Sequence, residues 1–396
     1  MPKSSSDKQR ILYICPQPFF EWRGSPIRVK ANMIALGSSG FDVDLLTLPI
    51  GEDQEIENVR VIRAWNLFNS KKISIGPSGL KLWFDLILLI QGLLLISKNK
   101  YTVLHGAEEA GFSCYVLSRF NRAKLVFEKH SDSYSYNPKG FLKPVLSVYR
   151  WVEKFTIKKS HVVISTGPAL DEQAKEDDDN PNPEKYVVIP DTPSSIFEPK
   201  EQDITEARNS LISSSDDVLI SYAGSFASYQ GVDIIFKTMP EVVKKNPNAK
   251  FIIIGGSKTE IEHHTTSLAT QGVKDNVIFL GMVHPDKLAA YLCASDILLA
   301  PRKSGVNSPL KILDYFKAGA AIVATDTPAN RRLLNDDNAV LCEFKEEAFA
   351  KAIQSLSTDN EKRKRLGENA FNLYKKKYNF TVFTQQLKSV YSKLTP

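Results

Sequence analysis

Residues 298–324, LLAPRKSGVNSPLKILDYFKAGAAIVA, contain four basic residues and one acidic residue, and three of the basic residues could act together with the acidic one. Arg302 and Lys303 suit an anion such as phosphate, and Lys311 adds a third positive charge. Asp314 follows Lys311 by three residues, so in a helix both side chains share one face. A carboxylate there can accept hydrogen bonds from sugar or ribose hydroxyls. The residues therefore suit a sugar joined to a diphosphate, and a solvated ion pair between Lys311 and Asp314 is the alternative.

The elements around these residues indicate where such a ligand would bind. Residues 297–300 are an apolar run typical of a buried strand, and a second buried strand follows the helix. Ser308 can cap that helix, Pro309 suits its first turn and Gly319 can end it. The helix start then faces the carboxyl edge of a parallel sheet, where open α/β folds bind ligands and free N–H groups attract anions.

The helix sequence LDYFKAG resembles the nucleotide-binding signature of the retaining glycosyltransferases of family 4 (group 1 glycosyltransferases), which have the GT-B fold. In that family a Glu near the middle of the helix holds the ribose hydroxyls, and Asp314 matches its position. The resemblance also implies donor contacts from Asn307, Ser308 and Leu310. Val306 stands where the family commonly has a second Glu against the donor sugar, and Asn307 beside it can supply polar groups.

A second segment, YAGSFASYQGVD, resembles the family's loop against the donor diphosphate. The resemblance assigns Gly224 and Ser225 to this loop, where backbone N–H groups can bind phosphate. Many family members place an Arg and a Lys there, whereas this chain has no cation and carries Gln230. The charge that stabilises the leaving diphosphate must then come from Arg302, Lys303 or Lys311, and we take Arg302 and Lys311 as the catalytic cations.

In the first half, His130 follows a predicted strand, and the resemblance places this residue against the donor sugar near the reacting carbon. His105, at the end of the preceding strand, is interpreted as a structural histidine. Glu109 and Asp132 are candidates to assist acceptor deprotonation. Gly24 lies in a loop that resembles the family's N-terminal loop beside the donor phosphates and the acceptor; an ordinary turn is the alternative.

Strands and helices alternate along the whole chain, which predicts an α/β protein. Its 396 residues exceed one typical core. With the resemblance, this implies a GT-B fold of two Rossmann-like domains facing each other across a cleft. Residues 1–195 would be the acceptor-side domain, residues 196–378 the donor-side domain, and residues 379–396 a helix that packs back on the first domain. The proline-rich residues 190–199 are the predicted linker.

The composition of the chain restricts the classes of ligand and partner that we expect. The chain is 42% hydrophobic and 24% charged, as ordinary globular proteins are, and its net charge of +6 suits an anionic ligand. The sequence has no basic run interleaved with aromatic residues, which is the pattern that would indicate binding to nucleic acid. Four scattered cysteines indicate buried, reduced thiols in a cytoplasmic protein, and the polar start MPKSSSDKQR is unlike a signal peptide. Neither metal-ligand spacing nor a GxGxxG motif is present, so we expect no cofactor beyond the nucleotide-sugar substrate.

One apolar segment, residues 82–97 with the sequence LWFDLILLIQGLLLIS, could be taken for a membrane-spanning helix. The segment is shorter than the roughly 20 residues of a span and contains Asp85 and Gln91. We predict a buried or interfacial helix, with peripheral contact to the inner face of a membrane as one possibility.

The predicted activity is transfer of a sugar from a nucleotide-diphosphate sugar to an acceptor hydroxyl, with retention at the anomeric carbon as the family implies. The acceptor is a glycan, a lipid-linked molecule or a small molecule, which places the protein in glycan biosynthesis. Two alternatives stay open: a catalytically degenerate subunit that binds a nucleotide sugar or a partner glycosyltransferase, and a nucleotide-sugar epimerase.

Overall fold

The computed structural model describes residues 9–21, 24–67, 69–71, 73, 79–134, 142–304 and 309–394, without the side chains of residues 142, 143 and 145. The chain divides into two compact units. The first comprises Met1–Asp191 and Phe380–Pro396, and the second comprises Thr192–Asn379. The change of unit therefore falls within the proline-rich segment predicted as a linker.

The first unit is built on a parallel sheet in the order β3-β2-β1-β4-β5-β6-β7. Its inner strands read as apolar runs because helices cover both faces of the sheet. Within the described residues the strands are β1 Arg10–Cys15, β2 Asp42–Thr47, β3 Val59–Arg63, β4 Val103–Ala107, β5 Lys124–Lys129, β6 Val162–Ser165 and β7 Tyr186–Val188. The helices that connect them are α1 Gly24–Ser38, α2 Gly79–Lys98, α3 Ala110–Asn121, α4 Leu142–Lys159 and α5 Pro168–Glu176.

The second unit repeats this plan with a parallel sheet in the order β10-β9-β8-β11-β12-β13. Its described strands are β8 Val218–Ala223, β9 Ala249–Ile254, β10 Val277–Gly281, β11 Ile297–Ala300, β12 Ala321–Thr325 and β13 Val340–Cys342. Its described helices are α6 Glu201–Leu211, α7 Asp233–Lys245, α8 Lys258–Thr270, α9 Pro285–Cys293, α10 Lys311–Ala318, α11 Pro328–Arg331, α12 Glu346–Thr358 and α13 Asn360–Leu373.

A final helix, α14 Phe380–Leu394, belongs to the first unit although it follows the whole of the second. Phe383, Leu387 and Tyr391 on this helix are buried in the core on the α1 side of the first sheet. The other face of that sheet carries a separate core with α2 and α3. The second unit likewise has one core on each face of its sheet. Each unit is therefore a three-layer α/β domain of the predicted Rossmann-like class.

The strand and the helix that flank the basic loop are largely as predicted. β11 spans the predicted residues and is fully buried, and Gly319 ends α10 in the left-handed conformation at a φ of 68°. The helix begins at Lys311, so Pro309 precedes its first turn and that detail of the prediction was wrong. The reason is a tighter turn, in which the N–H of Ile312 donates to the Pro309 carbonyl at 3.0 Å. The predicted cap, Ser308, lies outside the described residues.

Two strands of the first unit extend further than predicted. His105 lies inside β4, and Glu128 and Lys129 lie inside β5, whereas the sequence pattern ends these strands at Leu104 and Phe127, just before the three residues. All three side chains are buried, and each contacts an oppositely charged or polar partner. Because these partners replace water, the strands can continue through polar residues.

The acidic run of residues 176–179, which by its composition is typical of a solvated loop, is solvated only in part. Asp177 is buried and lies 2.8 Å from the Lys154 Nζ. Asp178 pairs with Lys185 at 2.7 Å. These carboxylates hold the end of α5 against its neighbours because each has a cation within reach.

Candidate functional site

The most unusual side chain of the second unit is Lys311, at the start of α10. Its Nζ is shielded from solvent and has no hydrogen-bond partner among the described residues. The ammonium lies 4.2 Å from the centre of the Tyr222 ring, a cation–π contact. Burial, together with the charge of Arg302, lowers the pKa of Lys311 to about 7. A cation held in this way gains most from an anion that enters beside it.

Gly224, just after β8, lies directly beside this ammonium. A Cβ atom on Gly224 would lie 2.6 Å from the Lys311 Nζ, and the residue has a φ of 149° that favours glycine. Gly255, at the end of β9, lies so close that a Cβ there would clash with the Gly224 carbonyl. The backbone of the strand end is therefore brought next to the cation, with no side chain in between. The phosphate-binding role of Gly224 stays a prediction.

Two tyrosines fix the helix and the strand ends relative to each other. The Tyr315 hydroxyl on α10 donates to the Leu299 carbonyl at 3.0 Å and accepts from the Ala223 N–H at 3.2 Å. The Tyr222 hydroxyl donates to the Ser225 carbonyl at 2.8 Å. These bonds couple α10 to β8, β11 and the loop after β8. Sequence reasoning missed both tyrosines, although a hydroxyl in a buried apolar stretch is a usable signal for such a tether.

Asp314 does not pair with Lys311, so the solvated ion pair was wrong. Its Oδ1 accepts hydrogen bonds from the Ser194 N–H at 2.7 Å and the Ser194 hydroxyl at 2.8 Å. Burial raises the pKa of Asp314 to about 6, against the lowering effect of the Ser194 hydrogen bonds. Lys317, one turn further on, donates to the carbonyls of Ser195 and Phe197 at 3.0 and 2.5 Å. The segment after the change of unit is thus tied to α10 at two points.

The structure describes three more predicted residues of the second unit, Arg302, Ser225 and Leu310. Arg302 is half-buried, its Nε donates to the Ser304 carbonyl at 2.9 Å, and burial lowers its pKa. Ser225 is exposed, and Leu310 is half-buried in the N-cap position of α10. The predicted donor contacts Asn307 and Ser308, and the departure at Val306, lie outside the described residues.

In the first unit, His130 follows β5 directly. Its Nε2 lies 3.1 Å from the Glu128 Oε2, in an ion-pair contact that is not directed well enough for a hydrogen bond. Its backbone N–H donates to the Glu108 Oε1 at 2.7 Å. Burial opposes the imidazolium charge, but the Glu128 carboxylate outweighs burial and raises the pKa of His130. The ring is therefore held at the strand end with a bias toward its charged form.

Glu128 is the centre of a buried network that sequence reasoning missed. Its carboxylate accepts hydrogen bonds from Tyr13 at 2.5 Å, from the Arg28 Nε at 2.9 Å and from Asn32 at 2.8 Å. Burial alone would raise the pKa of Glu128, but Arg28 and then His130 reverse this and hold the pKa well below its usual range. The partners come from β1 and α1, which are far from Glu128 in sequence, so spacing could not have revealed them.

Arg28 and His105 extend this network to two further parts of the unit. The Arg28 Nη1 donates to the Ile189 carbonyl at 2.8 Å and the Pro190 carbonyl at 3.0 Å, just before the change of unit. His105 contacts Glu128 through Nε2 at 3.1 Å and the Tyr391 hydroxyl through Nδ1 at 2.5 Å. Both ring nitrogens have partners and the side chain is fully buried, which confirms the structural interpretation of His105.

The other predicted residues of this unit are engaged within it. Glu109 forms an ion pair with Lys81, and Asp132 accepts hydrogen bonds from the Tyr134 N–H at 2.8 Å and from Gln173 at 2.7 Å. Gly24 is the exposed first residue of α1, with no atom within 4 Å of its Cβ position. The structure therefore leaves open space at Gly24 and holds both carboxylates in local contacts.

Solved structures of similar fold define the class to which these two units belong. The sucrose-phosphate synthase of Thermosynechococcus elongatus matches with a TM-score of 0.75 at 19% identity, over 98% of this chain and 99% of that one. The Anabaena protein HepE in complex with UDP matches with a TM-score of 0.73 at 14% identity, over 97% of this chain and 100% of that one. The chain has the GT-B fold, as predicted.

Family models assign the sequence more narrowly. The model described as glycosyl transferases group 1 matches residues 203–373, and the model described as glycosyltransferase family 4 matches residues 23–191. The chain belongs to the group 1, family 4 glycosyltransferases.

Curated relatives agree with this assignment. An uncharacterized glycosyltransferase of Methanocaldococcus jannaschii is 23% identical over 282 residues, 70% of each chain. A phosphatidyl-myo-inositol mannosyltransferase of Mycolicibacterium smegmatis is 28% identical over 111 residues, 28% of each chain.

Proposed function

We propose that this glycosyltransferase moves a sugar from a nucleotide-diphosphate sugar to an acceptor hydroxyl with retention of the anomeric configuration. The observation that carries the donor class is the shielded Lys311 ammonium beside the bare backbone of Gly224. A diphosphate supplies the anion that this cation lacks, and it can approach the backbone because no side chain intervenes. Among the fold neighbours, HepE was crystallised with UDP and with UDP-glucose, which supports the same donor class.

In this proposal the residues of the second unit hold the donor. Lys311 and Arg302 face the diphosphate and stabilise its charge as the bond between the anomeric carbon and the phosphate oxygen breaks. Asp314, oriented by Ser194, accepts hydrogen bonds from the ribose hydroxyls. Asn307, Ser308 and Leu310 remain predicted donor contacts on the strength of the family resemblance.

The first unit contributes His130, whose role against the donor sugar also rests on the family resemblance. Glu128 biases this ring toward the imidazolium form, and the Glu108 carboxylate fixes its backbone. The acceptor oxygen forms the new bond to the anomeric carbon, its proton passes finally to solvent, and the nucleoside diphosphate leaves.

Four unpaired cysteines, of which Cys15 and Cys114 are buried, support the proposed cytoplasmic location.

The first test is calorimetric titration of the protein with UDP, GDP and ADP, and with their common sugar conjugates, without added metal. We expect one nucleotide to bind clearly above the others. Lys311→Met and Asp314→Ala should each lower that affinity by about tenfold or more, the effect of one charge-assisted contact. Lys287→Met removes an exposed lysine of α9 and serves as the matched control. Unchanged affinity in both site variants would place the nucleotide elsewhere.

Binding and transfer are tested separately because Val306 and the uncharged loop at Gln230 favour a second candidate. A chain that binds a nucleotide sugar without turning it over would be the degenerate subunit. For an active chain, proton NMR of the first sugar released by donor hydrolysis reports the anomeric outcome. Release of the inverted anomer would contradict the proposed retention, and conversion of the donor into its epimer would indicate the epimerase alternative.

A further inference from the structure

Helix α2 of the first unit carries an exposed face that is entirely apolar over about four turns. Between Leu82 and Leu94, each residue whose side chain is exposed is a large hydrophobic one. Leu82 is 65% exposed and Leu94 is 45% exposed. A helix at the surface of a domain ordinarily presents charged and polar residues to water. The exposed members of this apolar stripe are Leu82, Trp83, Leu86, Ile90, Leu93 and Leu94.

The opposite face of α2 is fixed in the first unit. Phe84 and Leu88 are buried in the core, and a Cβ atom at Gly92 would lie 2.7 Å from the Leu117 side chain of α3. The Gln91 amide accepts from the Trp65 N–H at 2.9 Å and donates to the carbonyl of Arg63 at 3.3 Å. By length and composition the helix could cross a membrane, and 28% of its most apolar 18-residue stretch is buried. Crossing would break these contacts, so the structure suits a helix that lies on a membrane surface.

The exposed charges on α2, α3 and α4 have one sign. α3 packs against α2 and also against α4, where Phe112 and Tyr115 meet the Phe155 ring. Among the described residues of the three helices, the acidic side chains are only partly exposed or buried. Asp85 has a shielded Oδ1, and Glu153 is buried against Lys129. The exposed ionised side chains of these three helices are the cations Lys98, Arg119, Lys158 and Lys159, of which Lys158 pairs with the exposed Asp179 of the neighbouring loop at 2.6 Å.

α4 adds aromatic and aliphatic surface to the same layer. Val148 is 61% exposed, and Trp151 is 63% exposed one turn further on. Trp residues concentrate where proteins meet the headgroup region of a bilayer, because the ring is apolar and its N–H is polar. The apolar stripe, the exposed Trp151 and the exposed cations of these helices, whose own acidic side chains are not exposed, together match an anionic lipid surface better than they match water.

We propose that the α2–α4 layer of the first unit docks on an anionic lipid surface. The apolar stripe of α2 enters the boundary between headgroups and acyl chains, and the exposed cations contact lipid phosphates. This surface is separate from the residues assigned to sugar transfer, so its test requires neither nucleotide nor acceptor.

Co-sedimentation with phosphatidylcholine vesicles, prepared with or without phosphatidylglycerol, tests the proposal on the full chain. We expect binding to the anionic vesicles that weakens as salt increases. Leu86→Glu/Ile90→Glu should lower the vesicle affinity by about tenfold or more, since two side chains leave the acyl boundary. Met282→Glu is the matched control, because Met282 is 91% exposed and lies in the second unit. Circular dichroism confirms that each variant is folded.

A second variant tests the cations independently of the apolar stripe. Lys98→Ala/Arg119→Ala should weaken binding to anionic vesicles about 30-fold at low salt, with little effect on uncharged vesicles. Failure of the native chain to bind anionic vesicles would overturn the proposal. The proposal would also be overturned by a dimer in sedimentation velocity that Leu86→Glu/Ile90→Glu dissociates, because the stripe would then belong to a second copy of the chain.

Discussion

At the residue scale, Lys311 indicates the site and also destabilises the folded protein when no anion is bound. Its charge is shielded and unpaired, so the folded state binds that proton less tightly than the unfolded chain does. A diphosphate beside the ammonium would reverse the imbalance. The same property that marks the site should therefore be visible in stability and in proton exchange.

The stability effect has a defined sign. The pKa of Lys311 is about 7 in the folded protein and near the ordinary 10.5 in the unfolded chain. The charged form is therefore fully destabilising below pH 7, and the penalty disappears as pH rises to 10.5. We expect Lys311→Met to raise the free energy of unfolding by about 2 kcal/mol near neutral pH. Urea denaturation across this range should show the difference closing in alkali, and a constant difference would contradict the assignment.

Proton uptake is the second consequence of the lowered Lys311 pKa. When the nucleoside diphosphate binds near pH 8.5, we expect uptake of up to about one proton, because the anion restores the ammonium form. Calorimetry in buffers of different ionisation enthalpy measures this number directly. Lys311→Met should abolish the uptake, whereas Lys287→Met should leave it unchanged.

Glu128 shows the opposite situation, a buried charge whose partners are all present. Glu128→Gln would leave the Arg28 guanidinium with only the more distant Asp191 carboxylate at 3.3 Å, and loss of the buried Glu128 partner costs about 3–5 kcal/mol of unfolding free energy. Because the folded-state pKa of Glu128 is well below its usual range, this stabilisation is present above the ordinary pKa of 4.5 and is lost in stronger acid. Chemical denaturation at neutral pH tests the magnitude, with the exposed Glu201→Gln as control. A change below 1 kcal/mol would show that the network relaxes around the amide.

At the element scale, α14 is fastened by a polar contact as well as by its apolar face. Tyr391→Phe removes the hydroxyl that contacts the His105 Nδ1 at 2.5 Å and leaves that nitrogen buried without its partner. We expect a loss of about 1–3 kcal/mol in unfolding free energy. Ser392→Ala, at the exposed neighbouring position on the same helix, should change stability little. Equal stability of the two variants would mean that the apolar contacts alone hold α14.

Regular elements were predictable from local pattern, whereas contacts of polar residues were not. The apolar run of β11 and the glycine that ends α10 are local signals, and both predictions are confirmed. The ion pair between Lys311 and Asp314 was wrong because Ser194, far away in sequence, takes the carboxylate. Glu128 was missed for a similar reason, since its partners lie on β1 and α1. Sequence spacing predicts contacts between residues that are close along the chain, whereas these contacts join residues that are far apart in sequence.

At the scale of the whole molecule, all four Trp residues of the sequence fall within the first unit, at positions 22, 65, 83 and 151. Trp fluorescence therefore follows that unit, whereas the proposed nucleotide site is in the second. Each unit has its own cores, so we expect separate responses to ligand. At 100 times its dissociation constant, the preferred nucleotide should stabilise the second unit by about 2.7 kcal/mol. The denaturation midpoint should then shift more by far-UV circular dichroism than by Trp fluorescence.

Lys311→Met is the control for this experiment, because it should remove the shift in circular dichroism at the same nucleotide concentration. Equal shifts by both probes in the native chain would instead show that the two units unfold as one cooperative body.

The position of α14 in the chain also sets an order in which the protein can be completed. A ribosome makes all of Thr192–Asn379 before it makes α14, so the second unit possesses its full sequence while the first still lacks a helix. Until Tyr391 has been made, the His105 Nδ1 lacks its partner and the core on the α1 side of the first sheet lacks the side chains of α14. The first unit, which begins at the amino terminus, is therefore the last to receive its full sequence. A nascent chain stalled before residue 380 would contain a complete second unit and a first unit that lacks α14.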